Sequence, residues 1–341
     1  MISTRAQVLE ASVALRAELG KVIVGQSQVV EETLIALAAN GHALIEGVPG
    51  LAKTLLISTL AAATDLSFNR IQFTPDLMPS DITGTEVIRE DKATGERNLV
   101  FIPGPVFASV ILADEINRTP PKTQAAMLEA MQERQVTTGG QRRKLPVPFF
   151  VLATQNPIEQ EGTYPLPEAQ LDRFLLKITV RYPDEADELE IIRRTTGTSV
   201  GQVVPTMRAE DIAVIQRMVR ETPIADGVAR YCLALVRATR PVAEGGHADI
   251  APLLRWGAGP RAGQSMVLAA KARATLHGRS WVSIDDLRVV AKPVLRHRLQ
   301  PGYEAEAQGL TPDTIIDRLL AAISLPSTDL EKDAAVVAAV G

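Results

Sequence analysis

A short apolar run that ends at a glycine-rich turn and leads directly into a helix-forming segment is the feature that most constrains this fold. The apolar run covers residues 42–46, the turn begins at Gly47, and residues 54–63 favour a helix. Strand, glycine turn and helix in this order are typical of an α/β fold with parallel strands. Backbone N–H groups of such a turn, together with the positive end of the helix, can hold phosphate oxygens.

The turn is close to the phosphate-loop pattern G-x-x-x-x-G-K-[ST] and departs from it at one position, where Ala52 replaces glycine. Lys53 would reach the β- and γ-phosphates, and the Thr54 hydroxyl would ligate magnesium. A Gly/Pro-rich turn with a solvated lysine is the alternative for this stretch alone. The candidate nucleotide-binding residues of the loop are Gly47, Val48, Pro49, Gly50, Leu51, Ala52, Lys53 and Thr54.

A second apolar run, residues 110–113, ends in two acids, Asp114 and Glu115. Their position predicts that both carboxylates lie at the carboxyl end of a sheet, where ligands bind in open α/β folds. Asp114 would hold the magnesium shell, and Glu115 would act as general base on the attacking water. Either acid alone could cap the helix that follows, but helix capping explains the pair poorly. The two motifs together predict nucleoside triphosphate hydrolysis.

The rest of the chain divides into two regions with different patterns of predicted secondary structure. Strand-like runs at 70–73, 109–113, 149–154 and 174–180 alternate with helical pattern, which predicts a parallel sheet between helices. After residue 182 the pattern is helical, at 185–195, 209–220, 227–239, 261–276, 284–295 and 311–322. We therefore predict an α/β nucleotide-binding domain with N-terminal helices over 1–182, a helical lid domain over 183–325, and a flexible tail over 326–341.

Composition narrows the class of protein. Cys232 is the single cysteine, so an intrachain disulfide and a thiolate metal cage are both excluded, and we expect a cytoplasmic protein. Residues 1–21 lack the apolar core of a signal peptide, and no run approaches the ~18 apolar residues of a membrane span. The net charge of −4 argues against binding of nucleic acid through its phosphates. The four histidines show no ligand spacing.

Four stretches resemble AAA+ ATPases, and specifically the MoxR family. They are residues 47–54, LADEINRTPPKTQ at 112–124, ATQNP at 153–157 and LPEAQLDRF at 166–174. The likeness runs from about residue 24 to at least residue 320. It implies a P-loop NTPase sheet sandwiched by helices, an all-helical lid, ATP and Mg²⁺ as cofactors, and a homo-oligomeric ring that we expect to be hexameric.

The resemblance also implies roles for two polar residues beyond the phosphate loop. Asn156 matches the first sensor, which lies beside the γ-phosphate and helps to orient water, although an Asn before Pro157 could also be a turn former. Arg173 matches the arginine finger of related chelatases and helicases, and a planar guanidinium suits charge on a transferring phosphoryl group. A salt bridge between Arg173 and Asp172 or a neighbouring acid is the alternative.

Two further positions follow from the same resemblance. Arg261 matches the second sensor at the start of a lid helix, and whether it acts in its own subunit or on a neighbour is left open. Helix capping next to Pro260 could also explain that motif. Val24 and Gly25 match the adenine-side segment, with simple helix initiation as the alternative.

Two insertions fit the helix-2-insert branch of these proteins. Residues 80–104, with a polar turn at 91–95, interrupt the helix after the second strand, and 135–145 predict a hairpin. In related motors such hairpins face the ring pore. The second hairpin carries Arg142, Arg143 and Lys144, which could grip an acidic polymer or could simply be solvated.

The family resemblance implies a chaperone that remodels, assembles or activates a protein client. It also implies metal-cofactor insertion as a possible task and a partner that carries a von Willebrand factor A domain. A nucleic-acid-dependent motor is the second hypothesis, and the net charge of −4 weakens it. A slow nucleotide-dependent switch or scaffold is the third, and the complete set of Asp114, Glu115, Asn156 and Arg173 argues against it.

Overall fold

The computed structural model describes residues 2–90, 96–157, 162–197 and 201–325, and its centre is a five-stranded parallel sheet in the order β2-β5-β8-β1-β9. These strands are β1 (Ala43–Glu46), β2 (Phe68–Gln72), β5 (Val110–Asp114), β8 (Phe150–Gln155) and β9 (Leu176–Thr179). The helices in the first part of the chain are α1 (Arg5–Gly20), α2 (Ser27–Ala38), α3 (Lys53–Ala63), α4 (Pro79–Thr83), α5 (Pro121–Glu133), α6 (Glu168–Leu171) and α7 (Glu185–Thr195). The predicted α/β architecture is confirmed.

The central strands are continuous apolar runs because both faces of the sheet are covered. Successive side chains point to opposite faces, so Val110 and Leu112 pack into one core cluster while Ile111 and Ala113 pack into the other. Helices α2 and α3 contribute to the first cluster, and α5 contributes to the second. This pattern explains why each predicted central strand is a continuous apolar run and does not alternate between apolar and polar residues.

Strand direction decides where functional side chains can meet. Glu46 pairs with Gln155 and Gln72 pairs with Asp114, so the carboxyl ends of β1, β2, β5 and β8 lie at one edge of the sheet. Leu176, the first residue of β9, pairs with Ala43, the first residue of β1. Residues that precede β9 therefore lie at the opposite edge.

Both predicted insertions are present as antiparallel hairpins. The first follows α4 and pairs β3 (Gly84–Glu90) with β4 (Arg97–Pro103), while the predicted polar turn at 91–95 lies outside the described residues. The second pairs β6 (Gln135–Thr138) with β7 (Gln141–Lys144). Its turn residues Gly139 and Gly140 have φ of +59° and +74°, the left-handed conformation that a two-residue hairpin turn requires.

The second half of the chain is helical and carries one small sheet that the sequence did not predict. Its helices are α8 (Ala209–Glu221), α9 (Asp226–Ala238), α10 (Pro260–Leu276), α11 (Ile284–Leu295), α12 (Tyr303–Ala307) and α13 (Pro312–Ala322). Strands β10 (Leu254–Trp256) and β11 (Gln300–Pro301) pair antiparallel, and both are too short to leave a periodic pattern.

The N-terminal helices pack against the helical half as well as against the sheet. Helices α1 and α2 both contact α10, and Gln216 of α8 donates from its side-chain amide to the Leu37 carbonyl at 2.9 Å. The proposed boundary between 182 and 183 remains a prediction, and the predicted tail at 326–341 lies outside the described residues. None of the described helices has the length and hydropathy needed to cross a membrane.

Candidate functional site

The phosphate-loop candidate runs from the end of β1 to the start of α3. Gly50 has φ of +86° and Ala52, the residue before Lys53, has φ of 56° and ψ of 22°. Both lie in the left-handed region, which explains why the pattern prefers glycine at the position of Ala52. An alanine in this conformation costs about 1–2 kcal/mol relative to right-handed backbone. The loop therefore carries a small cost in backbone strain at Ala52.

The Lys53 side chain folds back over the loop that precedes it. Its ammonium donates to the Gly47 carbonyl at 2.5 Å. Burial lowers the pKa of this ammonium, and the charges of Asp114 and Glu115 oppose that shift. A cleft of about 430 Å³ brings Lys53 and Thr54 together with both acids. The predicted phosphate-binding and acidic groups therefore line one site.

Asp114 is held by three hydrogen bonds. The Thr154 hydroxyl donates to its Oδ1 at 2.6 Å, and Arg70 donates to its Oδ2 from Nε at 3.0 Å and from Nη2 at 2.6 Å. These hydrogen bonds hold the Asp114 carboxyl group in one orientation at the cleft.

Glu115 has an unusual backbone for a residue with a side chain. Its φ of 58° and ψ of 48° are left-handed, and its N–H donates to the Thr154 hydroxyl at 2.8 Å. Its Oε2 accepts from Gln72 Nε2 at 2.9 Å and from Arg118 Nη1 at 3.0 Å. Strain of this kind is typical of functional sites, where the surrounding structure imposes it.

Sequence reasoning missed the four residues that hold the acid pair, which are Arg70, Gln72, Arg118 and Thr154. Arg70 and Gln72 lie two apart on β2 and so share a face, and β2 pairs with β5. That neighbour relation cannot be read from the sequence. Thr154 is fully buried near the end of an apolar strand, and a buried hydroxyl needs a partner. This was the one usable signal.

Asn156 lies at the cleft, and the Val24–Gly25 segment lies beside the phosphate loop. Asn156 follows β8, is 8% exposed and lines the same cleft as Lys53. Gly25 has φ of +70°, and a Cβ there would overlap the Asp187 carboxylate of α7. The neighbouring Gln26 donates to the Leu51 carbonyl at 3.3 Å. The segment therefore lies against the phosphate loop and α7.

Arg173 and Arg261 do not reach this cleft. Arg173 is exposed, precedes β9 and lies at the edge of the sheet opposite the phosphate loop. Asp172 pairs with Arg298 at 2.7 Å and with Arg261 at 3.6 Å. Among the described residues, no salt bridge joins Arg173 to Asp172. Within the described ranges, Arg173 has no ion-pair partner. Arg261 is the second residue of α10 and, through its pair with Asp172, lies beside the loop between α6 and β9 that carries Arg173.

The basic hairpin is only partly solvated. The Arg143 guanidinium carbon lies 3.8 Å from the centre of the Phe101 ring, and its Nη2 is 3.5 Å from Glu86 Oε1. Both partners belong to the β3–β4 hairpin, so Arg143 joins the two insertions. Arg142 and Lys144 are exposed.

Comparison with known proteins gives matches along most of the chain. Residues 42–176 match the ATPase family associated with various cellular activities (AAA), and residues 247–319 match the AAA lid domain. The chain is 44% identical to Chaperone MoxR1 of Mycobacterium tuberculosis over 92% of this chain and 81% of that protein. It is 34% identical to Protein MoxR of Paracoccus denitrificans over 91% and 95%, respectively. The crystal structure of a Cytophaga hutchinsonii protein superposes with a TM-score of 0.87 at 44% identity, covering 95% of this chain and 97% of that one.

Proposed function

This chain belongs to the MoxR family of AAA ATPases, and we propose that it hydrolyses ATP at the subunit interfaces of a ring to remodel a protein client. Chaperone-type ATP hydrolysis follows from the family. The ring, the interfacial site and the client are our proposals. The observation that supports the ring and its interfacial site is the separation of Arg173 from the cleft that holds Lys53, Asp114 and Glu115.

Within one subunit the cleft supplies the groups that bind the phosphates. Lys53 and the N–H groups of the loop would hold the β- and γ-phosphates, and Val24 and Gly25 would border the adenine. The Thr54 hydroxyl and the Asp114 carboxylate fit Mg²⁺, because this ion prefers oxygen ligands and keeps several waters. When bound, the ion would neutralise charge on the transferring phosphoryl group.

Glu115 is the candidate general base. The water oxygen would form a bond to the γ-phosphorus, the bond to the ADP oxygen would break, and the water proton would pass to the Glu115 carboxylate. Gln72 and Arg118 both hold Glu115 Oε2, which fixes the orientation of the carboxylate before the reaction. Asn156, at the end of the adjacent strand, would orient the water.

A second subunit is needed to complete this site. Arg173 lies beyond the amino end of β9, and β1 alone separates that edge from the phosphate loop by roughly 13 Å at ~3.3 Å per residue. Arg173 would therefore act on the nucleotide of a neighbour. Arg261 lies on the same surface through its pair with Asp172, which supports a role in trans for Arg261 also.

Mixing two inactive variants tests the interface. Arg173→Ala should bind ATP and lose about 10³–10⁵-fold in turnover, as trans-acting arginines do in comparable sites. Glu115→Gln should bind ATP and lose about 10²–10⁴-fold, because an amide cannot accept the proton. A mixture should regain phosphate release with a maximum near equal amounts, since some interfaces then combine an intact Glu115 with an intact Arg173.

Subunit exchange must be verified with labelled subunits, and Arg230→Ala serves as the matched control. Arg230 is an exposed arginine on α9 whose side chain is 82% accessible, so its removal should leave turnover at the parental rate. If exchange is complete and the mixture stays inactive, Arg173 does not act in trans.

The client is proposed to be a protein that is recruited with a von Willebrand factor A partner, and metal-cofactor insertion is one task that the family suggests. The relative from Mycobacterium tuberculosis is named a chaperone. The Glu115→Gln variant should hold ATP and client without turnover, so proteins that copurify with it would identify the client and the partner.

We place this activity in the cytoplasm, where the single, buried Cys232 thiol suits reducing conditions.

A nucleic-acid-dependent motor is the second candidate, and the exposed Arg142 and Lys144 are the observation in its favour. Arg143 is engaged by Phe101 and Glu86, which reduces the free positive charge at this hairpin. Stimulation of the ATPase by DNA that declines steeply with salt would support this candidate over a protein client.

A further inference from the structure

We infer that Arg298 is a positioning residue that holds the Arg173 loop in the orientation needed at a neighbouring subunit's active site. This inference rests on the proposed trans role of Arg173. The Arg298 side chain is 3% exposed and follows α11, whereas Arg173 lies 125 positions earlier in the chain. The two are brought together by the packing of the helical half against β9.

The Arg298 guanidinium binds the backbone on both sides of Arg173. Its Nε donates to Asp172 Oδ1 at 2.7 Å, and its Nη2 donates to the Phe174 carbonyl at 2.7 Å and to the Asp172 carbonyl at 3.3 Å. Its Nη1 donates to the Leu175 carbonyl at 3.2 Å. A guanidinium has five donors in a rigid fork, so these contacts fix the loop in more than one direction.

The same guanidinium is anchored in the helical half. It donates to the Val294 carbonyl at 2.5 Å and to the Ser265 hydroxyl at 3.2 Å, and these partners belong to α11 and α10. Arg298 therefore connects two lid helices to the loop between α6 and β9. A shift of those helices would move the backbone on either side of Arg173.

Arg173 depends on that backbone because its own side chain has no ion-pair partner among the described residues. Its direction is set by the loop from which it extends. Asp172 also binds Arg261, at 3.6 Å, so one carboxylate links the buried positioning arginine to a second exposed arginine on the same surface. Loss of Arg298 should therefore disturb the surface that carries Arg173 and Arg261 and leave the nucleotide cleft of the same subunit intact.

The test uses Arg298→Met and Asp172→Asn in the full-length protein. Both variants should keep the affinity of the parent for a fluorescent ATP analogue, and both should lose turnover. The expected loss for Arg298→Met is about 10²-fold, the effect of misplacing a catalytic group by about 1 Å. Arg298→Lys keeps the charge and restores part of the hydrogen bonding, so it should recover part of the turnover.

Complementation separates a positioning role from a general structural one. Mixed with Glu115→Gln, the Arg298→Met subunit should regain turnover, because its own intact cleft then faces a well-placed Arg173. Mixed with Arg173→Ala, it should stay inactive, because neither subunit presents a correctly placed arginine.

Arg296→Met is the matched control. By the exposure of the whole residue, Arg296 is about as buried as Arg298, at 9% against 8%. It binds β9 through the Lys177 carbonyl at 3.1 Å and pairs with Asp313. Its removal should lower the melting temperature and keep the turnover of the folded protein. An equal catalytic loss in Arg296→Met would overturn the inference, since general docking of the lid would then explain both results.

The outcomes also distinguish this inference from the proposed function. If the Arg173→Ala and Glu115→Gln mixture is active and the Arg298→Met and Glu115→Gln mixture is not, the positioning role is wrong and the trans site stands. If the first mixture is inactive, the trans site itself fails. Should Arg298→Met not fold, the same mixing experiments are done with Asp172→Asn and Arg298→Lys. For the inference to hold, both variants must regain turnover when mixed with Glu115→Gln and must not regain it when mixed with Arg173→Ala.

Discussion

Thr154 connects the two acids of the site, and its replacement by valine gives a sharp test of how that pair is held. The hydroxyl donates to Asp114 Oδ1 at 2.6 Å and accepts from the Glu115 N–H at 2.8 Å, while the side chain is fully buried. Valine has nearly the same shape and cannot make either hydrogen bond. The exchange therefore removes the polar link and leaves the packing almost unchanged.

The size of the effect follows from the two lost bonds. A hydrogen bond to an ionised carboxylate contributes about 1.5–3 kcal/mol, and leaving a buried N–H without a partner costs about 1–3 kcal/mol. Asp114 and Glu115 are partly exposed, so the lower ends apply and Thr154→Val should lose roughly 2.5 kcal/mol of unfolding free energy. Thr154→Ser keeps the hydroxyl and removes one buried methyl group, which should cost about 1 kcal/mol.

Turnover should separate the two variants further. Without the bond to its N–H, the left-handed Glu115 loses its backbone support, and a shift of about 1 Å in a reacting group costs about 10²-fold. Thr154→Ser should hydrolyse ATP at close to the parental rate. Urea unfolding gives the stability change, and steady-state phosphate release at saturating ATP gives turnover. Equal turnover in the valine and serine variants would refute the role assigned to the hydroxyl.

Three further predictions concern the phosphate loop and a buried histidine. Lys53→Ala should abolish tight binding of a fluorescent ATP analogue, because it removes the cation that we propose binds the β- and γ-phosphates; unchanged affinity would contradict the loop assignment. Ala52→Gly removes the strain of a left-handed alanine, about 1–2 kcal/mol, and adds about 0.5–1 kcal/mol of conformational entropy cost on folding. Urea unfolding should therefore show a small increase in the unfolding free energy and not a decrease. Burial lowers the pKa of His42 from 6.5 to about 4, so the unfolded chain takes up a proton first and stability falls by roughly 3 kcal/mol as the pH drops through that window. In His42→Gln this part of the slope should disappear, and an unchanged slope would assign it to other groups.

Local signals predicted the secondary structure well where a capping residue marks a boundary. Helices α7 and α11 begin and end at the predicted residues, and both start directly after a side chain that caps them. Asp184 accepts from the Asp187 N–H, and Ser283 forms a capping box with Asp286. The apolar strands were predicted to within a few residues because they are buried on both faces.

The sequence predicted the two motifs of the candidate site and missed the residues that hold the acid pair, because the positions of those residues depend on strand order. The phosphate loop and the acid pair are each continuous in sequence, so their residue types were visible. Arg70 and Gln72 became relevant only when β2 was seen to pair with β5, 40 or more positions further along. Nothing in the sequence around Arg298 distinguishes it from a solvated arginine, since its partners at residues 172–175 are more than 120 positions away.

The position of β9 next to β1 has a consequence for how ATP hydrolysis can be controlled. In a parallel sheet, a residue before one strand and a residue after its neighbour lie at opposite edges, so Arg173 and the phosphate loop cannot meet within one subunit. If Arg173 serves a neighbouring site, hydrolysis requires assembly, and an isolated subunit binds ATP without rapid turnover. Arg298 then makes the same reaction depend on how the helical half sits on β9, because it donates to the carbonyls on both sides of Arg173. A client or partner that moves the lid helices could therefore change the turnover of the adjacent subunit while the affinity of the moved subunit for ATP stays the same.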